Sequence, residues 1–454
     1  IYPFFDEKRN AFYDREQQEV LFGWYVSGGN VSFKNIDGDI KKRNLRKGKV
    51  FTALSHDIVA HEISHALLDG LRPNFLRPYH CDTLALHEGF ADLVAVFQHF
   101  SHRDLVKSAI LKSGKNLVTS GLLTHIAKQF GQTQKEPSLA LRTSVDALKC
   151  DEDGCQIEGV PVPYDASYSI HKLGSVLVSA VFQAFATVFQ RKIQPYINIA
   201  TQGTGVLPPG RLESSLADML AKQASKLARQ FLSICIRAID YCPPVAVTFG
   251  DYLRAMITAD RDLVPSDPYG YREALIDAFI ERDVEIEGVD TLSESSLLWE
   301  SKYEQVDQEL LGLILSNQEM GRMIQDPIKR YELRAERIGE YLTDGKSRER
   351  LGLLPPGTKT TQYESASVPK IESARMSRRV GPNNRLETDL IIEITQDVGV
   401  RIDGGLISAI QGRTVIINSR GQIRYVINKN AVDIVSQMKN RTDTGHFNFS
   451  KFWS

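Results

Sequence analysis

His61-Glu62-Ile63-Ser64-His65 decides how the rest of this chain is read. The segment around it has helical character, and residues four apart on a helix share one face. Both imidazoles then point at one spot, which suits two ligands of a tetrahedral zinc, with Glu62 beside the metal to handle protons. Ser55 or Asp57 can cap the start of this helix, and Gly70 followed by Pro73 can stop it. A zinc site needs a third ligand, and the next helical stretch, Leu86 to Phe97, offers one. It places Glu88 and Asp92 one turn apart. Glu88 can complete a two-histidine, one-carboxylate set that leaves the fourth position to water. Asp92 can accept the far N–H of His61 and so fix its tautomer. His87 and His99 are rival ligands within the same stretch.

These residue types in this pattern point to a hydrolytic centre. An open zinc acidifies its water and polarises a carbonyl. Glu62 is placed to take the water proton and pass it to a leaving amine. The oxyanion that forms calls for further hydrogen-bond donors facing the metal. Peptide bonds are the expected substrate, and esters or other amides fit the same parts.

At this point the chain resembles the thermolysin-like metallopeptidases, the gluzincin group. Ala60 to Asp69 is similar to that family's zinc helix, down to the acidic residue four after the second histidine, and Glu88-Gly89-Phe90-Ala91-Asp92 is similar to its third-ligand helix. Asn10-Ala11-Phe12-Tyr13 resembles the family's edge strand, so the resemblance implies that Asn10, Ala11 and Tyr13 pair with an extended peptide. Leu141-Arg142-Thr143-Ser144 resembles the segment whose arginine binds the substrate carbonyl, which gives that role to Arg142. Tyr164 to His171 resembles the segment that ends in the oxyanion-stabilising histidine, which implies His171 as donor with Asp165 orienting it. Tyr79 stands before Glu88 at the spacing of the family's second oxyanion donor, with Tyr168 as its rival. The likeness covers roughly residues 4–285 and is tightest around the zinc motif. The family's secreted members follow the third-ligand helix with calcium-binding acidic residues. Here Phe97 to Arg103 follows and holds no acidic cluster, so one zinc ion is expected and calcium is not.

The bulk properties set wide bounds. At 454 residues, two or three domains are expected. Apolar content of 42% and charged content of 24% suit a soluble globular protein, and a net charge of −1 gives no reason to expect nucleic acid or an anionic membrane. The one long uncharged run, Leu173 to Phe189, reads as a buried central helix and not as a membrane span. Cys150 with Cys155, and Cys235 with Cys242, can pair in an oxidising compartment, whereas the odd total of five leans towards the cytoplasm. The chain opens at Ile1, so a removed signal peptide or propeptide stays open.

The expected fold is α+β, a two-lobed thermolysin-like metallopeptidase architecture with additions. Residues 1–170 form a mixed β/α lobe carrying the zinc helices, and 171–290 an all-helical lobe. Residues 291–385 are a helical segment, Ser293 to Arg337, followed by an irregular connector rich in Pro, Ser and Lys. Residues 386–454 are a small β-rich module with a hairpin turn at Ser419 to Gln422. The expected partner is a peptide or protein substrate, with a protein partner for the C-terminal module as a further option. The competing class is a catalytically silent or latent zinc-binding interaction protein on a protease fold.

Overall fold

The computed structural model describes residues 1–8, 10–34, 40–113, 149–150, 157–158, 161–207, 212–289, 291–306, 345–381, 386–402 and 405–436, with isolated positions between 326 and 340. It is a mixed helix and sheet protein. Strand β1 (Ala11–Asp14) pairs antiparallel with β2 (Glu19–Phe22), and β3 (Trp24–Lys34) with β4 (Ile40–Phe51). Two helices follow, α1 (His56–Leu71) and α2 (Cys81–His99), and then α3 (Arg103–Ser113). A short antiparallel pair follows, β5 (Lys149–Cys150) and β6 (Ile157–Glu158), and the acidic stretch Asp151-Glu152-Asp153-Gly154, whose sequence suggests a hairpin turn, lies between them in the chain. That turn, including Cys155, lies outside the described residues.

A run of helices comes next: α4 (Ile170–Ala200), α5 (Ser214–Ala238), α6 (Phe249–Leu263) and α7 (Tyr271–Ile280). Helix α4 contains the apolar run. It is long and apolar enough to cross a membrane, yet 83% of that window is buried by protein. Its Phe185 meets Phe97 edge-on at 5.5 Å and Phe100 at 5.1 Å, so the core of these helices is continuous with α2. An aromatic cluster of this kind stabilises through burial and through its ring geometry. Cys235 and Cys242 do not pair. Both are free and buried in this core, which corrects the expected disulfide.

Helices α2 and α4 touch through glycines. A Cβ on Gly174 would stand 3.0 Å from the Ala85 carbonyl oxygen and 3.3 Å from Glu88 Cβ. Replacing Gly174 with alanine is therefore expected to push the helices apart and cost about 1–3 kcal/mol, as overpacking does. A thermal melt of the variant checks this, and Glu88 would shift with the helix.

The C-terminal region is a six-stranded antiparallel sheet built from β7 (Ser301–Gln305), β8 (Tyr363–Ala366), β9 (Lys370–Val380), β10 (Leu386–Ile402), β11 (Gly405–Asn418) and β12 (Gln422–Lys429). Its order is β7-β12-β11-β10-β8, with β9 also on β10. The division expected at residue 386 thus cuts through one sheet. Ser301–Gln305 is a strand and not part of a helix, and the supposed connector supplies β8 and β9. The hairpin turn at Ser419 to Gln422 is present, with Gly421 at φ +74°.

Alternation along these strands splits the sheet into two faces. Val415, Ile417 and Ile423 build the sheet's own core, while Ile416, Tyr425 and Ile427 join the core of the helices, a register shift between β11 and β12 setting Ile423 and Tyr425 on opposite faces. Buried ions line the same junction. Arg72, the residue after α1, is 0% exposed and its Nη1 lies 3.1 Å from Glu393 Oε2 on β10. Arg375 bonds Glu393 and, at 2.7 Å, Asp240. Arg424 and Tyr425 bind Asp262, and Lys429 binds Asp251 at 2.9 Å. The sheet therefore packs on the chain's own helices through charged contacts as well as apolar ones.

Candidate metal centre

Helix α1 runs His56–Leu71, one residue after Ser55 and ending at Arg72. Ser55 takes the N-cap position without a side-chain bond, and the Arg72 N–H closes the last turn on Leu68 O. Helix α2 runs antiparallel beside it, as the matched pairs show: His65 faces Glu88 and His61 faces Asp92.

The donor atoms of His61, His65 and Glu88 all lie within 4.8 Å of one another. Nε2 of His61 and Nε2 of His65 are 2.9 Å apart, and each is 3.6 Å from a Glu88 carboxylate oxygen. Ligands bonded to one tetrahedral zinc at ~2.0–2.1 Å stand roughly 3.3 Å from each other. The observed separations bracket that edge length, and two imidazole nitrogens with a carboxylate are a zinc-type donor set. The residues fit the ion.

On its far side His61 Nδ1 is 2.9 Å from Asp92 Oδ1, and Asp92 is 2% exposed. Burial opposes the charged imidazolium, but the Asp92 and Glu88 carboxylates outweigh it and hold His61 well above the usual histidine range. Burial and the neighbouring His61 charge push His65 well below it. His171, in the first turn of α4, approaches Glu88 Oε2 with Nδ1 at 3.1 Å. That bond raises His171, and the bonds from His171 and His61 carry Glu88 well below the carboxylate range despite its burial. Glu62 is buried and its carboxyl is pushed up to about 7, chiefly by desolvation. The Tyr13 main-chain N–H faces that carboxylate and favours its ionised form.

Tyr13 brings the N-terminal strand to the centre. Strand β1 pairs with β2 along one edge, and among the described residues no strand occupies its other edge. Ala11 is buried opposite Phe22, the Asn10 carbonyl accepts Gly23 N–H at 2.9 Å, and Tyr13 Oη donates to Asp69 Oδ2 at 2.9 Å. Asp69 also holds Arg15 at 3.3 Å. A cleft of about 470 Å³ opens here, lined by Tyr13, Arg15, Asp69 and Pro73.

Other expected residues are placed differently. Arg142 lies outside the described residues. Tyr79 packs against the cluster of Val245 and Ile434, and its hydroxyl accepts from Arg77 at 3.4 Å. Its ring is held there and not among the converging donors, so the oxyanion role expected for it is corrected. Tyr168 lies under the Lys172 ammonium, 3.4 Å from the ring centre. The Asp165 carboxylate accepts Ser167 N–H at 2.8 Å, shaping the turn into α4, while His171 meets Glu88 and not Asp165. His99 bonds Asp57 at the far end of the α1–α2 seam, and His87 meets His65 through Nδ1, so neither joins the ligand cluster. A second group, His80, Cys81 and Asp82, is buried and internally satisfied: Asp82 accepts Tyr164 O–H at 2.6 Å and Phe249 N–H at 2.9 Å. Sequence reasoning missed these links of Asp82, because nothing local couples position 82 to 164 or 249.

Substituting Asp92 with Asn keeps its shape but removes the charge behind His61. Zinc affinity is expected to fall about 10–100-fold, which chelator competition would measure.

No family model matches this chain, and neither the curated proteins nor the solved structures hold a match to it.

Proposed function

We propose that this chain is a zinc-dependent peptidase of the thermolysin-like, gluzincin kind. The observation that carries the reading is the convergence of His61, His65 and Glu88 on one point with the carboxyl of Glu62 buried beside them. His61 and His65 would hold the ion through Nε2, and Glu88 through its carboxylate. Zinc bound there supplies Lewis acidity for an attacking water and for the scissile carbonyl.

The protein groups do the rest. Glu62 takes the proton of the attacking water and delivers it to the departing amine nitrogen. Its raised affinity for protons, a result of desolvation, suits both halves of that transfer. His171 stands over Glu88 from α4 and donates to the oxyanion side of the substrate carbon. The open edge of β1 receives the substrate as an added strand, and the cleft beside Tyr13 gives its side chains room. Asp92 keeps His61 in the ligating tautomer.

A silent zinc scaffold is the competing class. It has no use for a desolvated carboxyl at position 62, which burial makes costly. Digestion of a peptide library with and without a chelator separates the two. Cleavage is expected to stop on zinc removal and return on zinc addition. Zinc bound at one equivalent with no cleavage under any condition would favour the scaffold.

A further inference from the structure

His87 sits on α2 immediately before Glu88 and is 2% exposed. Its Nδ1 lies 2.7 Å from Nδ1 of His65, and the two nearly coplanar rings, 14° apart, meet edge to edge with centroids 4.9 Å apart. Nitrogens this close share one proton: one ring donates and the other accepts. The heavy atoms alone are symmetric. Ligation breaks the symmetry. Nε2 of His65 is the atom that faces His61 Nε2 and Glu88, and a nitrogen that binds metal must be a bare lone pair. A neutral imidazole with Nε2 bare carries its proton on Nδ1. His65 is then the donor, and Nδ1 of His87 the acceptor. The proton of His87 is left on Nε2, which is buried and has no hydrogen-bond partner among the described residues.

That orphan is informative. A buried N–H without an acceptor is unfavourable, and an apolar side chain of similar size would fill the space without it. Stability alone gives no reason for an imidazole at position 87.

We propose that His87 is a positioning residue: its Nδ1 lone pair holds the Nδ1–H of His65, locks that tautomer and aims Nε2 at the metal. It does for His65 what Asp92 does for His61, with one difference. Asp92 brings a negative charge, and His87 brings none. Glu88 and Asp92 already supply two carboxylates to a divalent ion. A neutral acceptor at the second histidine orients the ring without further offsetting the ion's charge, and so preserves its Lewis acidity. The proposal rests on the zinc reading above.

The test uses the full chain, with Zn2+ affinity read by competition against a chromophoric chelator. His87→Leu removes the acceptor at similar volume and is expected to weaken zinc binding about 10–100-fold. His87→Asn offers an amide oxygen as acceptor and is expected to return to within a few-fold of the parent. Nitrogen-15 spectra of the zinc-loaded parent should show His65 protonated at Nδ1 and His87 at Nε2, a readout that needs no variant to fold. Equal affinity in the leucine variant, no recovery in the asparagine variant, or a proton on Nδ1 of His87 would each overturn the assignment to His87 alone. A parent chain that binds no zinc would overturn the metal centre itself, and this role with it.

Discussion

Glutamine at position 62 is expected to leave zinc binding within a few-fold of the parent and to lower kcat by about 10²–10⁴-fold or more, the range for loss of a positioned general base. Glu62 is not one of the three converging donors. It follows His61 on α1 and so projects to one side of the ligand face, under the β1 edge. The amide keeps the size and packing of the side chain but cannot accept a proton. Metal content by mass spectrometry and turnover on peptides cleaved by the parent would be measured together. Retained zinc with lost turnover supports the assignment. Unchanged turnover removes Glu62 from the mechanism, and lost zinc would mean that the residue supports the fold of α1 instead.

The cluster of His61, His65 and Glu88 was legible because a helix converts spacing into direction. The step of four residues from His61 to His65, and from Glu88 to Asp92, places each pair on one face whatever the tertiary context. The apolar run of α4 and the helical character of residues 171–290 were legible for the same reason: their periodicity is local. The sheet was not. Strand β7, Ser-Lys-Tyr-Glu-Gln, shows no apolar alternation, and pairing with β12 makes it a strand. Strand β9, with Arg375 and Arg379, lies in the stretch read as an irregular connector. In the fold the two arginines face Asp240 and Asp389 in a buried network. Polarity in a sequence does not distinguish water from a buried counter-ion. Tyr79 failed differently. Its spacing from Glu88 matched a pattern, but spacing across a loop carries no direction, and the loop turns the ring towards Val245. The bond from His65 to His87 joins two helices and had no local signature at all.

Truncating Glu393 to alanine is expected to cost about 3–5 kcal/mol, the penalty for breaking a buried ion pair and stranding its partner. Glu393 is 1% exposed and bridges two guanidinium groups, Arg72 and Arg375. Arg375 keeps Asp240 in the variant. Among the described residues Arg72 keeps only neutral acceptors, the Ile239 carbonyl and Thr414 Oγ1, and its charge stays buried. The loss should therefore exceed that of any exposed pair, such as Arg103 with Asp218, which is worth ~0–1 kcal/mol. A double variant, Arg72→Met with Glu393→Leu, removes both charges and is expected to recover most of the stability, since apolar replacement of a buried pair is often near neutral. Urea unfolding of the parent, Arg72→Met, Glu393→Leu and the double variant completes the cycle, with Glu393→Ala measured beside it. The effect reaches the metal centre through one covalent link: Arg72 ends the helix that carries His61, Glu62 and His65. Zinc affinity in the alanine variant should fall along with stability and return in the double variant. A C-terminal sheet that acts as a removable cover predicts the opposite, with Glu393→Ala silent in unfolding and activity rising when the sheet is cut away. A cost under about 1 kcal/mol, the level of an exposed pair, would favour that alternative and make the sheet an appendage and not the abutment of the helix that carries His61 and His65.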